Sequence, residues 1–292
     1  MLGALAAAVL LSLPGPRLTA TIPAGTAPCG AVAGYGAVWV AADGSGMLAR
    51  IDPRTSSVTR RIRLAPGACS VAAGAGAVWV VNYKTGSLAR IDPHTLRVRT
   101  VRAGAVPLDV LVAAGRLWVT TWEDGTLVEL DPVTLAVTRR IDIGARPSGL
   151  AARRGAVWVG FGRDATAIVR VDPGTGEVTR YPVEAERPGW FAAGTTDLWI
   201  TAADTDVLHV DPATGNVLAR LHVGRTLAQG AAAPDGTIWV PDKEQNVVYR
   251  IDPARERVVD SFPAGPGAYL ALRAFGSMWV LSYAGADVRR FG

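Results

Sequence analysis

The segment Gly76-Ala77-Val78-Trp79-Val80, followed after a short loop by Leu88-Ala89-Arg90-Ile91-Asp92-Pro93, decides the fold of this 292-residue chain. The same pattern returns every 39–41 residues along the sequence. Its tryptophans are Trp39, Trp79, Trp118, Trp158, Trp199, Trp239 and Trp279. A repeat of about 40 residues that contains four short strands is typical of one blade of a β-propeller. Seven such tryptophans therefore predict an all-β, seven-bladed β-propeller with four antiparallel strands in each blade.

The unit around Trp79 shows how the four strands divide. Strand a covers residues 69–73, strand b 77–81, strand c 87–91 and strand d 98–101. Strand b is apolar on both faces, which is expected of a strand that is buried between two neighbouring blades. An indole buries ~150–250 Å², so we expect each repeated tryptophan to fill a seam between blades. Strand d alternates with Arg and Thr, as suits an outer edge that faces water.

A second repeated marker is an apolar residue followed by Asp-Pro. It occurs at Asp52, Asp92, Asp131, Asp172, Asp211 and, in the sixth unit, Asp252. An Asp side chain accepts hydrogen bonds from backbone N–H groups further along a turn, and proline presets the backbone of the next position. These six carboxylates are therefore predicted to form turns rather than catalytic acids.

The two ends of the repeat region predict how the ring closes. Phe291-Gly292 aligns with Ile251-Asp252, so the last unit stops after strand c. Thr21-Ile22-Pro23 matches Ser261-Phe262-Pro263, which is a strand d with no blade before it. We therefore expect one propeller domain over residues 21–292, whose N-terminal strand supplies strand d of the last blade and leaves no open surface between blades.

Residues 1–20 precede the repeats. Residues 1–13 are apolar or small and are followed by Pro14-Gly15-Pro16. This run is short for a membrane span and has the length of a signal-peptide core, although no basic residue precedes Arg17. We expect an exported protein whose signal peptide is cleaved before Thr21, with Leu18-Thr19-Ala20 as a cleavage site. An unstructured apolar tail and a retained membrane anchor are the alternatives.

Charge gives little indication of a macromolecular partner. The formal net charge is +5, and only Lys84 and Lys243 among the 30 basic residues are lysines. The basic residues are spread along the chain, whereas a nucleic-acid footprint is a clustered basic stripe. We expect no nucleic-acid partner, no transmembrane span and a monomer.

The variable positions of the repeat predict where a ligand binds. The d–a and b–c loops of a propeller meet around one mouth of its central channel, and such a concavity is the default binding site. The residues at the start of each strand a and in each b–c loop contribute aromatic, amide and charged side chains to this mouth. The candidates are Trp122, Trp190, Tyr83, Tyr269, Tyr283, Asp109, Glu123, Arg163, Gln229 and Lys243. Exposed aromatic rings suit small molecules, glycans, peptides or proteins. The alternatives are rings that pack on adjacent loops and charges that are simply solvated.

Cys29 and Cys69 occupy equivalent positions in adjacent units. In an exported chain they can form a disulfide. We expect the neighbouring inner strands to lie near or beyond the Cα separation of about 7 Å that a disulfide tolerates, which favours small buried thiols. Two thiols with no nearby histidine leave too few ligands for a metal, and no cofactor-binding motif is present. We therefore expect neither a metal site nor a cofactor.

The repeat units resemble those of known propeller families. The segment 147–159 follows the pattern Pro-x-Gly-x-Ala-x-Gly-x-Gly-Ala-Val-Trp-Val in most positions, and 88–95 reads Leu-x-Arg-Ile-Asp-Pro-x-Thr. Over residues 21–292 these units resemble YVTN/YncE-type propellers, and more distantly virginiamycin B (streptogramin) lyases. The first resemblance implies an exported bacterial seven-bladed propeller. The second implies a magnesium-dependent site with histidine on the top face, but His94, His209 and His222 fall on a c–d turn, a strand c and a strand d.

No nucleophile paired with a base is visible in the sequence, although separate loops can assemble a site that sequence does not reveal. We therefore expect a binding or interaction module that works through the mouth of the channel. A streptogramin-lyase-like enzyme with altered site residues and an extracellular sensor or scaffold domain are the alternatives.

Overall fold

The computed structural model describes residues 15–144 and 146–292. The first strand is β1 (Leu18–Pro23). Blade 1 contains β2 (Pro28–Gly34), β3 (Ala37–Ala42), β4 (Met47–Asp52) and β5 (Ser57–Arg63). Blade 2 contains β6 (Ala68–Gly74), β7 (Ala77–Asn82), β8 (Ser87–Ile91) and β9 (Val98–Arg102). Blade 3 contains β10 (Pro107–Ala113), β11 (Arg116–Thr121), β12 (Thr126–Leu130) and β13 (Val137–Asp142).

The remaining blades follow in the same order. Blade 4 contains β14 (Pro147–Arg153), β15 (Ala156–Phe161), β16 (Ala167–Val171) and β17 (Val178–Pro182). Blade 5 contains β18 (Trp190–Phe191), β19 (Leu198–Ala202), β20 (Asp206–Val210) and β21 (Val217–His222). Blade 6 contains β22 (Ala231–Ala232), β23 (Ile238–Asp242), β24 (Val247–Asp252) and β25 (Arg257–Pro263). Blade 7 begins with β26 (Ala268–Ala274), β27 (Ser277–Ser282) and β28 (Asp287–Phe291).

Seven four-stranded antiparallel sheets form the propeller, as the repeat predicts. Blade 7 is completed by β1, which pairs with β28 so that Ile22 lies opposite Val288. The predicted ring closure is therefore confirmed. The pairing starts at Leu18, opposite Phe291, so the closing strand begins before Thr21. The described residues contain no helix long and apolar enough to cross a membrane.

The repeated tryptophans fill the seams between blades. All seven are at most 3% exposed. Trp79 of blade 2 packs in one cluster with Val110, Leu117 and Val119 of blade 3. At the closing seam, Trp279 packs with Val38 and other apolar residues of blade 1. Each blade thus covers its neighbour with one large ring, and the predicted role of these residues is confirmed.

A cation lies beside most of these indoles. The residue opposite the tryptophan on strand c is Arg in five blades, at Arg50, Arg90, Arg170, Arg250 and Arg290. The guanidinium carbons of Arg50 and Arg90 lie 5.8 Å from the centroids of their partner rings. This distance is within the range of a cation–π contact. Arg50, Arg90 and, at 5.1 Å, Arg290 therefore stabilise the indoles across their strand pairs.

The strand c cation also reaches the next blade. Arg290 donates to the backbone oxygen of Pro53 at 2.6 Å and to Ser56 Oγ at 3.0 Å, both in a turn of blade 1. In blade 3, where Glu129 replaces the arginine, Arg139 of strand d takes its place over Trp118, at 5.9 Å, and donates to Pro173 of blade 4. The contact therefore survives the substitution.

The Asp-Pro turns are formed as predicted. Asp92 Oδ1 accepts hydrogen bonds from the backbone N–H groups of His94, at 2.9 Å, and Thr95, at 2.8 Å. The equivalent carboxylate of Asp172 accepts from Gly174 and Thr175 in the same way. These donors lower the pKa of both carboxyl groups. The repeated carboxylates are thus turn formers on the face opposite the mouth.

We expect Trp79→Ala to lower the free energy of unfolding by about 3–5 kcal/mol, because it leaves a cavity in the seam between blades 2 and 3. Chemical denaturation followed by circular dichroism measures the change. Val133→Ala is the control, since Val133 is 78% exposed. Equal stability of the two variants would contradict the role of the seam.

Candidate functional site

A central cavity of about 510 Å³ runs along the propeller axis. Residues of six of the seven strands a line it, and blade 6 contributes residues 227–229, which precede its strand a. Asp204, Thr226 and Lys243 line it from loops at the mouth. Most of the strand residues are Ala, Val or Leu, so the wall is mainly apolar. A concave apolar site with a few polar groups is the usual form of a small-molecule site.

A second, smaller pocket opens beside the cavity at the mouth. This side pocket has a volume of about 270 Å³ and is lined by Trp122, Arg163, Arg187, Trp190 and Asp204, among others. Trp190 lines both the side pocket and the central cavity, so its indole lies between them. The two tryptophans outside the repeat positions therefore meet at one site, and both are half-buried.

Trp122 is held in place by a neighbouring glycine. Its six-membered ring lies where a Cβ atom of Gly162 would be, so a larger residue at 162 would displace it. Gly162 N donates to the backbone oxygen of Arg146 at 3.0 Å. The absence of a side chain at 162 is thus what allows the indole of blade 3 to reach blade 4.

The three candidate tyrosines gather on the other half of the mouth. The ring centroids of Tyr269 and Tyr283 lie 5.4 Å apart. Burial around its hydroxyl group raises the pKa of Tyr269 to about 12, and the charges of Tyr283, Tyr83 and Asp43 add to this effect. Tyr83 donates to Asp43 Oδ2 at 2.9 Å, which joins blade 2 to blade 1. Burial and this carboxylate raise the pKa of Tyr83 as well.

The two lysines of the chain have different surroundings at the mouth. Lys243 Nζ lies 4.8 Å from the ring centroid of Tyr283 and 5.6 Å from that of Tyr269. Lys84 Nζ lies 5.3 Å from the ring of Tyr83 and also donates to Asp43 Oδ1 at 3.1 Å. Both ammonium groups therefore lie over aromatic rings, but only Lys84 has a carboxylate partner among the described residues.

Asp109 is a buried carboxylate in the wall of the cavity, with 7% of its surface exposed. It accepts hydrogen bonds from Ser70 Oγ of blade 2, from Val110 N at 2.9 Å and from Leu150 N of blade 4 at 2.7 Å. Burial raises its pKa to about 6, although the three donors act in the opposite direction. The side chain joins three neighbouring inner strands.

Of the remaining three candidates, Gln229 lines the central cavity, and Arg163 and Glu123 do not. Gln229 is half-buried in its wall, and its backbone oxygen accepts from Ala271 N at 2.9 Å. Arg163 is exposed and lines the side pocket. Glu123 is exposed and lines neither space. The structure thus places Glu123 apart from the remaining candidates.

Cys29 and Cys69 form a disulfide at the cavity wall, with Cα atoms 5.3 Å apart. The expectation of buried thiols is wrong, because the inner strands of blades 1 and 2 approach more closely than assumed. Gly30 shows how close this approach is, since a Cβ atom there would overlap the backbone oxygen of Cys69.

Arg153 is a cavity residue that the sequence reasoning missed. It ends β14, and its guanidinium donates to Ala152 O at 2.7 Å and to Thr195 Oγ1 at 3.2 Å. Its Nε is buried and has no hydrogen-bond partner among the described residues. The alignment of the repeats could have revealed Arg153. It stands five places before Trp158, and the other six units have Gly, Ala or Pro at this position.

The histidines lie where the repeat places them. His94 is in the turn between β8 and β9, His209 is on β20 and His222 ends β21. None of the three lines the central cavity or the side pocket. Within the described ranges, no three His, Cys, Asp or Glu side chains are grouped in a way that would hold a metal ion.

These features define a seven-bladed β-propeller with an apolar central cavity and an aromatic, charged mouth. Among solved structures, the chain is similar to a streptogramin B lyase, with a TM-score of 0.81 and 13% identity over 92% of this chain and 94% of that one. It is also similar to the virginiamycin B lyase from Staphylococcus aureus, with a TM-score of 0.80 and 14% identity over 91% and 94% of the two chains.

A third similar structure is hydrazine synthase from Kuenenia stuttgartiensis, with a TM-score of 0.80 and 12% identity over 91% of this chain and 95% of that one. No protein-family model and no curated protein sequence matches the chain. At such low identities, the similarity shows the propeller fold alone.

We expect Asp109 to make the protein less stable as the pH rises from about 4 to about 7. Its pKa is raised from 3.8 to about 6 by folding, so within this window the folded chain holds a proton that the unfolded chain has released. The loss is about 2 kcal/mol relative to Asp109→Asn, measured by urea denaturation at both pH values.

Asp172→Asn is the control for this measurement. Backbone N–H donors lower the pKa of Asp172, so its contribution is lost as the pH falls, which is the opposite sign. A pH profile that Asp109→Asn leaves unchanged would show that folding does not raise the pKa of Asp109, and would contradict the prediction.

Proposed function

We propose that the protein is a binding module that takes up a small, largely apolar molecule through the mouth of the channel. The observation that supports this most is the central cavity of about 510 Å³, with its wall of Ala, Val and Leu side chains. Removal of apolar ligand surface from water is favourable by about 25 cal/mol per Å². A preformed apolar cavity of this size is therefore suited to a drug-sized ligand.

Trp190 is the residue we assign to the entrance. It contributes to both the cavity and the side pocket, and its ring packs against Gly149 of blade 4. Aromatic side chains in this kind of position often supply a large share of binding energy, since they offer area at a low entropic cost. Trp122 extends the aromatic surface outward along the side pocket.

The experiment uses N-phenyl-1-naphthylamine, an uncharged apolar fluorophore whose emission rises when it leaves water. We expect it to bind the full-length protein, and Trp190→Ala to weaken its affinity about tenfold or more. Trp122→Ala is expected to have a smaller effect, because Trp122 lines the side pocket only. The double variant should abolish binding while the melting temperature changes little.

Val133→Ala is the matched control, since Val133 is exposed on an outer turn. If the fluorophore does not bind, or if the double variant binds it as well as the wild type, the proposal of an apolar cavity ligand is wrong. A glycan, peptide or protein bound at the outer surface of the mouth would then account better for the aromatic residues.

We also propose that the protein is exported, in keeping with the YVTN/YncE-type repeats that its sequence resembles. The apolar run in residues 1–13, which lie outside the described part, supports this, and so does the disulfide between Cys29 and Cys69. Disulfides persist in oxidising compartments and are rare in the cytosol. Because β1 begins at Leu18, we place the removal of a leader before that residue.

Cell fractionation with N-terminal sequencing tests the export proposal. We expect the protein outside the cytoplasm, with a new N-terminus before Leu18 and with no thiol that reacts with an alkylating agent before reduction. A cytosolic protein that keeps Met1 and has two reactive thiols would contradict it. The Cys29→Ser/Cys69→Ser variant provides the baseline for the alkylation.

A further inference from the structure

The charged side chains around the central cavity differ in the partners that they have. Two carboxylates line it, and both have partners within the protein. Asp204 forms an ion pair with Arg187 at 2.8 Å, and Asp109 accepts the three hydrogen bonds described above. Two cations line it as well, Lys243 and Arg153. Within residues 15–144 and 146–292, neither of these two cations forms an ion pair with a carboxylate. The ion pairs at the mouth involve Lys84, Arg187 and Arg225 instead.

Lys243 is held at the mouth by aromatic rings, and its ammonium has no hydrogen-bond acceptor among the residues that the structure describes. The rings of Tyr269 and Tyr283 hold the ammonium at 5.6 Å and 4.8 Å from their centroids. Aromatic faces attract a cation without using its hydrogen-bond donors. Within the described part of the chain, Lys243 Nζ donates no hydrogen bond, in contrast with Lys84 Nζ, which donates to Asp43. The ammonium is thus positioned in advance for an acceptor that residues 15–144 and 146–292 do not supply.

Arg153 carries a positive charge at the end of the cavity opposite the mouth, since it ends β14. Its guanidinium contacts only neutral oxygens, those of Ala152, Ala192 and Thr195. In surroundings of low dielectric constant, a charge without a counter-ion acts over a longer range than in water. The cavity therefore has an apolar wall, and the ammonium of Lys243 at its mouth has no carboxylate partner among the described residues, which favours a ligand with an apolar body and an anionic group.

We propose that the ligand of the central cavity is an amphipathic anion, with an apolar or aromatic body and a carboxylate, sulfonate or phosphate group that Lys243 binds at the mouth. This inference rests on the proposed function, because it specifies the chemistry of the molecule that the cavity takes up. The body occupies the space between the inner strands, and the anionic group stays near the rim, where it receives N–H donors from Lys243.

Two fluorophores with the same ring system separate the anionic group from the apolar body. 8-Anilinonaphthalene-1-sulfonate carries a sulfonate, and N-phenyl-1-naphthylamine does not. We expect both to bind and to compete with each other, the sulfonate more tightly. Lys243→Met removes the charge but keeps the length and apolar character of the side chain. It should weaken binding of the sulfonate about tenfold and change that of the neutral fluorophore less than about twofold.

Lys84→Met is the matched control. Lys84 is the other lysine of the chain, it also lies over a tyrosine ring at the mouth, and its removal changes the net charge by the same amount. Because its ammonium is bound to Asp43, we expect a much smaller effect on the sulfonate. Added salt should weaken binding of the sulfonate to the wild type more than to the Lys243→Met variant.

The outcomes distinguish the two proposals. If both fluorophores bind and the two lysine variants affect the sulfonate equally, or if Lys243→Met weakens both fluorophores alike, Lys243 is no anion anchor and the inference is wrong, while the apolar cavity site stands. If neither fluorophore binds, the proposed function itself fails. A melting temperature for Lys243→Met that equals that of the wild type shows that the exposed residue is not needed for folding.

Discussion

The structure depends on the seam between adjacent blades, where one buried indole meets a sheet of the next blade. Because a repeat unit contacts mainly its neighbours, the stability of the ring is approximately the sum of the stabilities of the single blades and of the seams between them. A cation on strand c also stabilises the seam. Arg290 lies over the indole of Trp279 and donates a hydrogen bond to a turn of the next blade. The side chain varies, but the contact persists. In blade 5, His209 stacks on Trp199 at 4.3 Å and meets Glu256 of blade 6.

This arrangement explains why the candidate site can differ from blade to blade. Residues of strands b and c form the seams, so they are similar in every unit. The residues at the starts of strands a and in the b–c loops do not form these seams, and they vary among the units. The mouth consequently has two dissimilar halves. Tyrosines and lysines of blades 2, 6 and 7, together with Asp43 of blade 1, form one half. The tryptophans and arginines of blades 3, 4 and 5 form the other.

The same separation accounts for the comparison with solved structures. A TM-score of 0.81 at 13% identity shows that very different sequences satisfy the seams of this fold. Function in such folds depends on the loops that the scaffold supports rather than on the scaffold. What distinguishes this chain is its own cavity, where Trp190, Lys243 and Asp109 bring aromatic surface, a cation and a buried carboxyl group to one largely apolar space.

The sequence by itself determined the number of blades, the order of strands, the turn role of Asp92 and its equivalents, and the closure of the ring by Ile22. Each of these follows from a local pattern that every unit must satisfy in order to form and bury its own strands.

Only the tertiary structure decided that Cys29 and Cys69 are close enough to bond, that Asp109 is buried between Ser70 and Leu150, and that Glu123 lies apart. It also placed Arg153 in the cavity, and it gave Lys243 no carboxylate partner within the described part of the chain. These facts are distances between residues about one repeat or more apart in sequence, and they depend on how tightly seven blades close around their axis, which no pattern within a single unit encodes.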